Sequence, residues 1–181
     1  LNSAALTAEI DHFSGRDYVG LAFAWPSHQN IFRYLIREDV HRAQASSDAL
    51  ATLLELLAEH TDAQRINVLA YSAGARVTSK ALDQLRTKYS DESVYRLKSR
   101  LRIGTVIFAA ADVELETFLD RLGSISDLSE QVVITVSDDD NALIAARHYM
   151  GGGSRTGEEL AESAEEFFIH EHQITNIEII D

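Results

Sequence analysis

Residues 66–85 read INVLAYSAGARVTSKALDQL, and this stretch decides the fold. Its first six residues form a largely apolar run, which is typical of a buried strand. The residues that follow place Val77, Ala81 and Leu85 at four-residue steps, a spacing that puts all three on one face of a helix. Only Ser72 separates the two elements, so we predict a strand that turns almost at once into a helix.

The rest of the chain repeats this alternation of strand and helix. Apolar runs predict further strands, and apolar residues at three- and four-residue steps predict further helices. The predicted strands cover residues 18–24, 66–71, 103–109, 131–136 and 174–180. The predicted helices cover residues 38–60, 73–85, 113–122 and 142–150, followed by an amphipathic stripe over residues 160–168.

Buried strands separated by helices indicate the fold class. Strands that are apolar along their length are buried on both faces, which is a property of parallel sheets covered by helices. We therefore predict an α/β fold, a three-layer α/β/α sandwich with a mostly parallel sheet. We expect residues 1–181 to form a single domain, and we find no internal repeat in them.

The composition excludes several classes of function. The 181 residues carry 16 Lys and Arg against 29 Asp and Glu, a formal net charge of −13. A chain this acidic is unsuited to binding nucleic-acid phosphates or an anionic membrane surface. It contains no cysteine, which excludes disulfides and thiolate chemistry. No apolar run approaches the roughly 20 residues of a membrane helix, so we expect no membrane span.

We expect no cofactor and no metal. His170 and His172 are two residues apart, but no third ligand accompanies them, and chance spacing is the favoured interpretation. The glycines at 151–153 follow a predicted helix, whereas a phosphate-binding loop follows a strand, which argues against a nucleotide. We take the cytoplasm as the default location, and export is the alternative because the chain starts at Leu1 rather than Met. The oligomeric state stays open.

Ser72 is the candidate catalytic residue. A serine between a buried strand and a helix matches a nucleophile elbow, in which a sharp turn exposes the hydroxyl at the carboxyl edge of the sheet. Ala70 and Gly74 provide the small neighbours that this turn needs. The helix that begins at Ala73 offers a backbone N–H to a developing oxyanion. The alternative is that Ser72 only caps this helix.

Five groups of residues match a known family in chain order. They are Phe23-Ala24-Trp25-Pro26-Ser27, Tyr34 with Asp39, Leu69 to Val77, Ala110-Ala111-Asp112 with Phe118, and Ser137 to Leu143 with Arg155-Thr156-Gly157. This pattern, which runs from about residue 4 to residue 181, resembles a bacterial α/β-hydrolase family of unknown function that is esterase- or lipase-like. The resemblance implies a Ser-Asp-His hydrolase in which the acid follows a late strand and the histidine follows the last one.

The resemblance aligns the acid of the family with Asp140. Reasoning from the strands agrees, because a carboxylate at the carboxyl end of a parallel strand lies at the same sheet edge as the elbow serine. Asp138 and Asp139 are close rivals, and Asp112 is an alternative acid after another strand. The alternative interpretation is that the aspartates form a solvated turn that caps the next helix.

The family's histidine has no clear counterpart in the chain. Family members carry it shortly beyond the last strand, and they carry a His-Gly segment on a strand before residue 1. We therefore expect both to lie outside residues 1–181, so that the chain lacks the first strands and is truncated at both ends. A base must reach the serine within hydrogen-bond distance, and the internal histidines are interpreted instead as surface or packing residues. These are His28, His148, His170 and His172.

Trp25, Ser27 and Tyr71 are the candidate residues of the substrate pocket. A loop at the carboxyl edge of the sheet can line such a pocket, with Trp25 as an apolar wall and Ser27 or Gln29 as a polar contact. Tyr71 directly precedes the candidate nucleophile. The alternative for the Trp-Pro-Ser segment is a rigid turn around a buried tryptophan.

The function that these residues favour is that of a serine hydrolase acting on an ester or related acyl bond of a small molecule. Ser72 attacks, Ala73 donates to the oxyanion, and Asp140 orients a histidine outside the chain. A non-catalytic interaction module with the same fold is the first alternative, because Ala70 replaces the usual glycine of the elbow. A phosphate-ester or nucleotide enzyme is the second alternative, and the missing phosphate loop and the acidic charge argue against it.

Overall fold

The computed structural model describes residues 3–13, 15, 17–25, 39–111, 113–135 and 174–180. In this part of the chain the helices are α1 (Ser3–Phe13), α2 (Asp39–His60), α3 (Gly74–Lys88), α4 (Val94–Leu101) and α5 (Leu115–Leu128). The strands are β1 (Ile66–Tyr71), β2 (Ile103–Ala109), β3 (Ser129–Thr135) and β4 (Ile177–Ile180). Contacts divide the chain into two compact units, Leu1–Ser46 and Ser47–Asp181. That residues 1–181 form a single domain stays a prediction.

The four strands form one parallel sheet in the order β1-β2-β3-β4. Tyr71 pairs with Ala109, and Phe108 pairs with Ile134, so the carboxyl ends of β1, β2 and β3 lie at one edge. Helices α3 and α4 connect β1 to β2, and helix α5 connects β2 to β3, as parallel pairing requires. The predicted class, an α/β fold with a parallel sheet and flanking helices, is confirmed.

A large part of the core lies between the strands and helices α3 and α5. The ring of Phe108 on β2 meets the ring of Phe118 on α5 edge to face, with their centroids 4.9 Å apart. Each large apolar side chain buried in this way contributes on the order of 2 kcal/mol to stability. The fully or nearly fully buried residues of this layer include Ala70, Val77, Leu82, Leu85, Val106, Leu122, Ile125 and Val132.

Helix α4 was not predicted from the sequence. Ser93 caps it by accepting a hydrogen bond from the amide of Arg96 at 3.4 Å. At the other end Arg102 takes a left-handed conformation with a φ of 52°, which ends the helix. The Arg102 side chain donates to the carbonyls of Ala58 at 2.7 Å and Ala63 at 2.7 Å, and also to that of Thr61. It therefore binds the end of α2 to the start of β2.

The pairing of β1 with β2 contains an irregularity at Asn67. The register shifts between Ile66 and Val68, and the Asn67 side-chain oxygen accepts the amide hydrogen of Thr105 at 2.9 Å. A Cβ added at Gly104 would clash with this oxygen. An alanine at position 104 would therefore force the side chain of Asn67 to move and give up this hydrogen bond.

The prediction of a strand over residues 18–24 is wrong. Residues 17–25 form no strand, and Tyr18, Val19 and Leu21 are exposed. An apolar run becomes a strand only where a neighbouring strand takes up its backbone hydrogen bonds, and no described strand pairs with this segment.

Other predicted bounds differ less. The predicted strands at 66–71 and 103–109 match β1 and β2 residue for residue. Helix α5 continues past the predicted end at residue 122 to Leu128, and β4 begins at Ile177 rather than residue 174. The predicted helix at 142–150 and the stripe at 160–168 lie outside the described residues. None of the described helices is both long and apolar enough to cross a lipid bilayer.

Candidate functional site

Ser72 lies in the turn between the last residue of β1 and the first residue of α3. Its φ of 50° is left-handed, a conformation that costs a residue with a Cβ about 1–2 kcal/mol. Two hydrogen bonds hold the turn: the Ser72 amide donates to the carbonyl of Ala109 at 2.9 Å, and its carbonyl accepts from the amide of Ala75 at 3.0 Å. The strained turn is therefore fixed by the sheet on one side and by the helix on the other.

The alternative role of Ser72 as a helix cap does not agree with the structure. The N-cap residue of α3 is Ala73, and no side chain makes a capping hydrogen bond there. Within the described part of the chain the Ser72 hydroxyl has no hydrogen-bond partner. Ser72 is only partly buried, which is compatible with the approach of a substrate from solvent.

The first amides of α3 are also available. Ala75 and Arg76 donate their amide hydrogens to the carbonyls of Ser72 and Ala73, whereas the amides of Ala73 and Gly74 have no acceptor among the described residues. Free amides at a helix N-terminus carry partial positive charge. They can therefore stabilise a negative oxygen that forms beside Ser72.

Ala70 and Gly74, the two small residues beside Ser72, differ in whether packing limits their size. Ala70 is buried in the sheet, with 2% of its surface exposed, so packing limits its size. A Cβ added at Gly74 would meet no atom of the described residues within 4 Å, and the φ of Gly74 is not left-handed. Packing among the described residues therefore does not require glycine at position 74, and the space above it is open.

The structure describes only some of the predicted site residues. Tyr71, Ser72 and Ala73 are consecutive at the carboxyl edge of the sheet, and Tyr71 is 47% exposed. Trp25 is half-buried in the unit Leu1–Ser46. The other candidates lie outside the described residues: Ser27, Gln29, His28, Asp112, Asp138, Asp139, Asp140, His148, His170 and His172.

The described histidine nearest in sequence to the elbow is in the wrong place for a base. His60 ends α2 just before β1, whereas Ser72 follows the other end of that strand. A strand of six residues spans about 20 Å, which no proton transfer can bridge. No group of three or more His, Cys, Asp or Glu side chains within the described ranges could hold a metal ion.

Sequence reasoning missed one group at this site, the carbonyl of Ala109. It anchors the Ser72 amide, yet the two residues are far apart in the sequence. Their meeting depends on the register of β1 with β2, and a strand's apolar pattern predicts burial but not its partner. The free amide of Gly74 could have been predicted, because the first amides of any helix lack acceptors within it.

Comparison with known proteins gives one match. The model of a family described as alpha/beta hydrolase of unknown function (DUF900) matches residues 2–181. No curated protein and no solved structure matches the chain.

Proposed function

Because the chain belongs to the alpha/beta hydrolases of unknown function, we propose that it is a serine hydrolase whose nucleophile is Ser72. The substrate is an ester or a related acyl compound. The observation that carries the proposal is the left-handed turn at Ser72, which leaves its hydroxyl free between a strand end and a helix N-terminus. Strain of this kind persists at functional sites when the surrounding structure holds it in place.

The reaction follows from the groups around the hydroxyl. The Ser72 Oγ attacks the carbonyl carbon of the substrate while a histidine takes its proton, and the carbonyl oxygen becomes negative. The amide of Ala73 donates to this oxygen. The carbon–oxygen bond to the alcohol then breaks, the histidine returns the proton to the alcohol, and water hydrolyses the acyl-enzyme by the same steps.

The remaining triad members are proposed from the family resemblance. Asp140 is proposed as the acid that orients the histidine, and the histidine is proposed to lie outside the described residues. Tyr71 is proposed to line the acyl pocket, whereas Trp25 and Ser27 stay predictions from the sequence. Tyr71 is suited to this role because it is exposed and directly precedes the nucleophile.

The experiment is covalent labelling of the protein at its natural length with a fluorophosphonate, together with hydrolysis of short acyl esters. Ser72→Ala should abolish both, because no other group takes the place of the missing Oγ. Ser90→Ala is the control, since Ser90 is an exposed serine after the end of α3 and should leave both unchanged. Undiminished labelling of the Ser72→Ala protein would show that the nucleophile is elsewhere. An unlabelled wild-type protein would favour the non-catalytic interaction module.

A further inference from the structure

A second left-handed residue lies next to the Ser72 turn. Ala110 has a φ of 46° and directly follows Ala109, the last residue of β2. Because Ala109 pairs with Tyr71, the residues after the two strands, Ala110 and Ser72, occupy neighbouring positions at the sheet edge. Two strained residues with a Cβ therefore follow two paired strand ends.

Within the described ranges, no hydrogen bond or helix cap accounts for the conformation of Ala110. Arg102, the remaining non-glycine residue with a positive φ in the described part of the chain, ends helix α4 and is held by its side chain. Ala110 follows a strand, and it is exposed. Its methyl group lies in a backbone region that favours glycine or asparagine.

The peptide between Ala109 and Ala110 connects this strain to the nucleophile. It is planar and carries the carbonyl oxygen that accepts the Ser72 amide hydrogen at 2.9 Å. The φ of Ala110 is the first rotation after that peptide. A left-handed φ at Ala110 turns the chain away from the strand direction after this peptide. The peptide itself keeps the orientation that it has in the ladder, so its carbonyl oxygen still accepts the Ser72 amide hydrogen.

We propose that Ala110 is a positioning residue for Ser72, acting through the carbonyl of Ala109. The two left-handed turns then form one unit, in which the turn after β2 fixes the turn after β1. The part of this inference that concerns reaction rate rests on the proposed function, whereas the part that concerns the Ser72 amide does not.

The experiment compares substitutions at position 110 that differ in their tolerance of the left-handed region. Ala110→Val is β-branched and disfavours it, whereas Ala110→Asn accepts it. Ile125→Val is the control, because it trims a buried side chain near the end of α5, at the opposite edge of the sheet from Ser72. Amide hydrogen exchange at Ser72 and the kcat and KM for a short acyl ester are measured for each protein at its natural length.

For Ala110→Val we expect the Ser72 amide to exchange about tenfold faster, because the bond to Ala109 opens more often. We expect kcat to fall about tenfold with KM little changed, since the misplaced hydroxyl affects the chemical step rather than binding. Ala110→Asn should show wild-type values of the Ser72 exchange rate and of kcat, and Ile125→Val should change neither. If Ala110→Val acted only through a general loss of stability, Ile125→Val would change the same two quantities.

Unchanged exchange at Ser72 in Ala110→Val would overturn the inference, whatever the activity. If Ala110→Val does not fold, Ala110→Thr imposes the same β-branched restriction with a polar side chain suited to an exposed position, and the same outcomes apply. Faster exchange in a protein whose wild type hydrolyses no ester would support the link between Ala110 and Ser72 and would contradict the proposed function alone.

Discussion

The backbone amide of Ser72 donates to the carbonyl oxygen of Ala109 across 2.9 Å. This bond extends the ladder between β1 and β2 past its last paired residues, Tyr71 and Ala109. The turn that carries the candidate nucleophile is therefore held by two strands, one through the chain itself and one through a hydrogen bond. Substitutions at the end of β2 should therefore alter the conformation of the turn at Ser72 even where the new side chain does not contact Ser72.

Gly74→Ala should raise stability and lower activity. Alanine in place of glycine at a compatible backbone conformation raises the free energy of unfolding by roughly 0.4–1 kcal/mol, and the added methyl meets no atom of the described residues within 4 Å. The methyl would, however, occupy the open space beside the amides of Ala73 and Gly74, where the substrate oxygen is proposed to bind. We expect the rate of labelling by a fluorophosphonate to fall about tenfold.

Gly123→Ala is the matched control for that variant. Gly123 lies within α5, and an added Cβ there also meets nothing within 4 Å. It should give a similar gain in stability by urea denaturation with no change in labelling. Equal labelling rates for Gly74→Ala and the wild type would contradict the proposed position of the substrate.

Gly104→Ala should destabilise the sheet, because the new methyl would clash with the side-chain oxygen of Asn67. We expect the free energy of unfolding to fall by about 1 kcal/mol, because the side-chain oxygen of Asn67 would move and lose its hydrogen bond with the amide of Thr105. In an Asn67→Ala background the same change should cost less, since the oxygen is gone. Urea denaturation of the four proteins measures this coupling, and strictly additive losses would refute it.

Arg102→Ala should remove the hydrogen bonds to the carbonyls at the end of α2 while keeping the left-handed strain. We expect a loss of about 2–4 kcal/mol in the free energy of unfolding. Arg102→Gly loses the same bonds but relieves the strain, so it should be more stable than Arg102→Ala by about 1 kcal/mol. Arg96→Ala, an exposed arginine on α4, serves as the control and should change little. Equal stabilities for the alanine and glycine variants would show that the φ of 52° carries no strain.

Glu55 should make the stability depend on pH in the acid range. Lys88 donates to its two carboxylate oxygens at 2.7 and 2.9 Å, and the Tyr89 hydroxyl also donates to it. Burial acts to raise the pKa of Glu55, but these hydrogen bonds and the charges of Lys88 and Arg100 outweigh it. They hold the pKa below the ordinary value of 4.5.

A carboxyl group whose pKa is lower in the folded state contributes stability above its unfolded pKa. That contribution is lost as the pH falls through the folded pKa. The free energy of unfolding should therefore fall more steeply below pH 4.5 in the wild type than in Glu55→Gln. Denaturation by urea at a series of pH values checks this. Glu59→Gln, an exposed glutamate on the same helix, should follow the wild type. Parallel curves for the wild type and Glu55→Gln would contradict the prediction.

The elements that sequence reasoning located best are those whose pattern is local. Strands β1 and β2 are apolar runs inside the sheet, and their predicted bounds are correct. Helix α4 was not predicted, because three cationic residues lie between its apolar residues Val94, Leu97 and Leu101 and obscure their helical spacing. The apolar run at 18–24 was wrongly predicted to be a strand. It has the pattern of a strand, but no described strand pairs with it.

The candidate site also contains one feature that the sequence could predict and others that it could not. The turn at Ser72 could be predicted, because a strand, a serine and a helix follow one another directly. The left-handed conformation of Ala110 could not, because alanine carries no sequence signal for a positive φ. Nor could the bond from Ser72 to Ala109, which depends on how two distant segments align.

The strands lie side by side in the order in which the chain is synthesised. The Ala109 carbonyl and the bonds from α3 to α5, such as Arg86 to Asp127 at 2.8 Å, are all present once residue 135 has been added. Domains begin to fold as they leave the ribosome. The bend that presents Ser72 can therefore assemble on the nascent polypeptide before β4 has been translated.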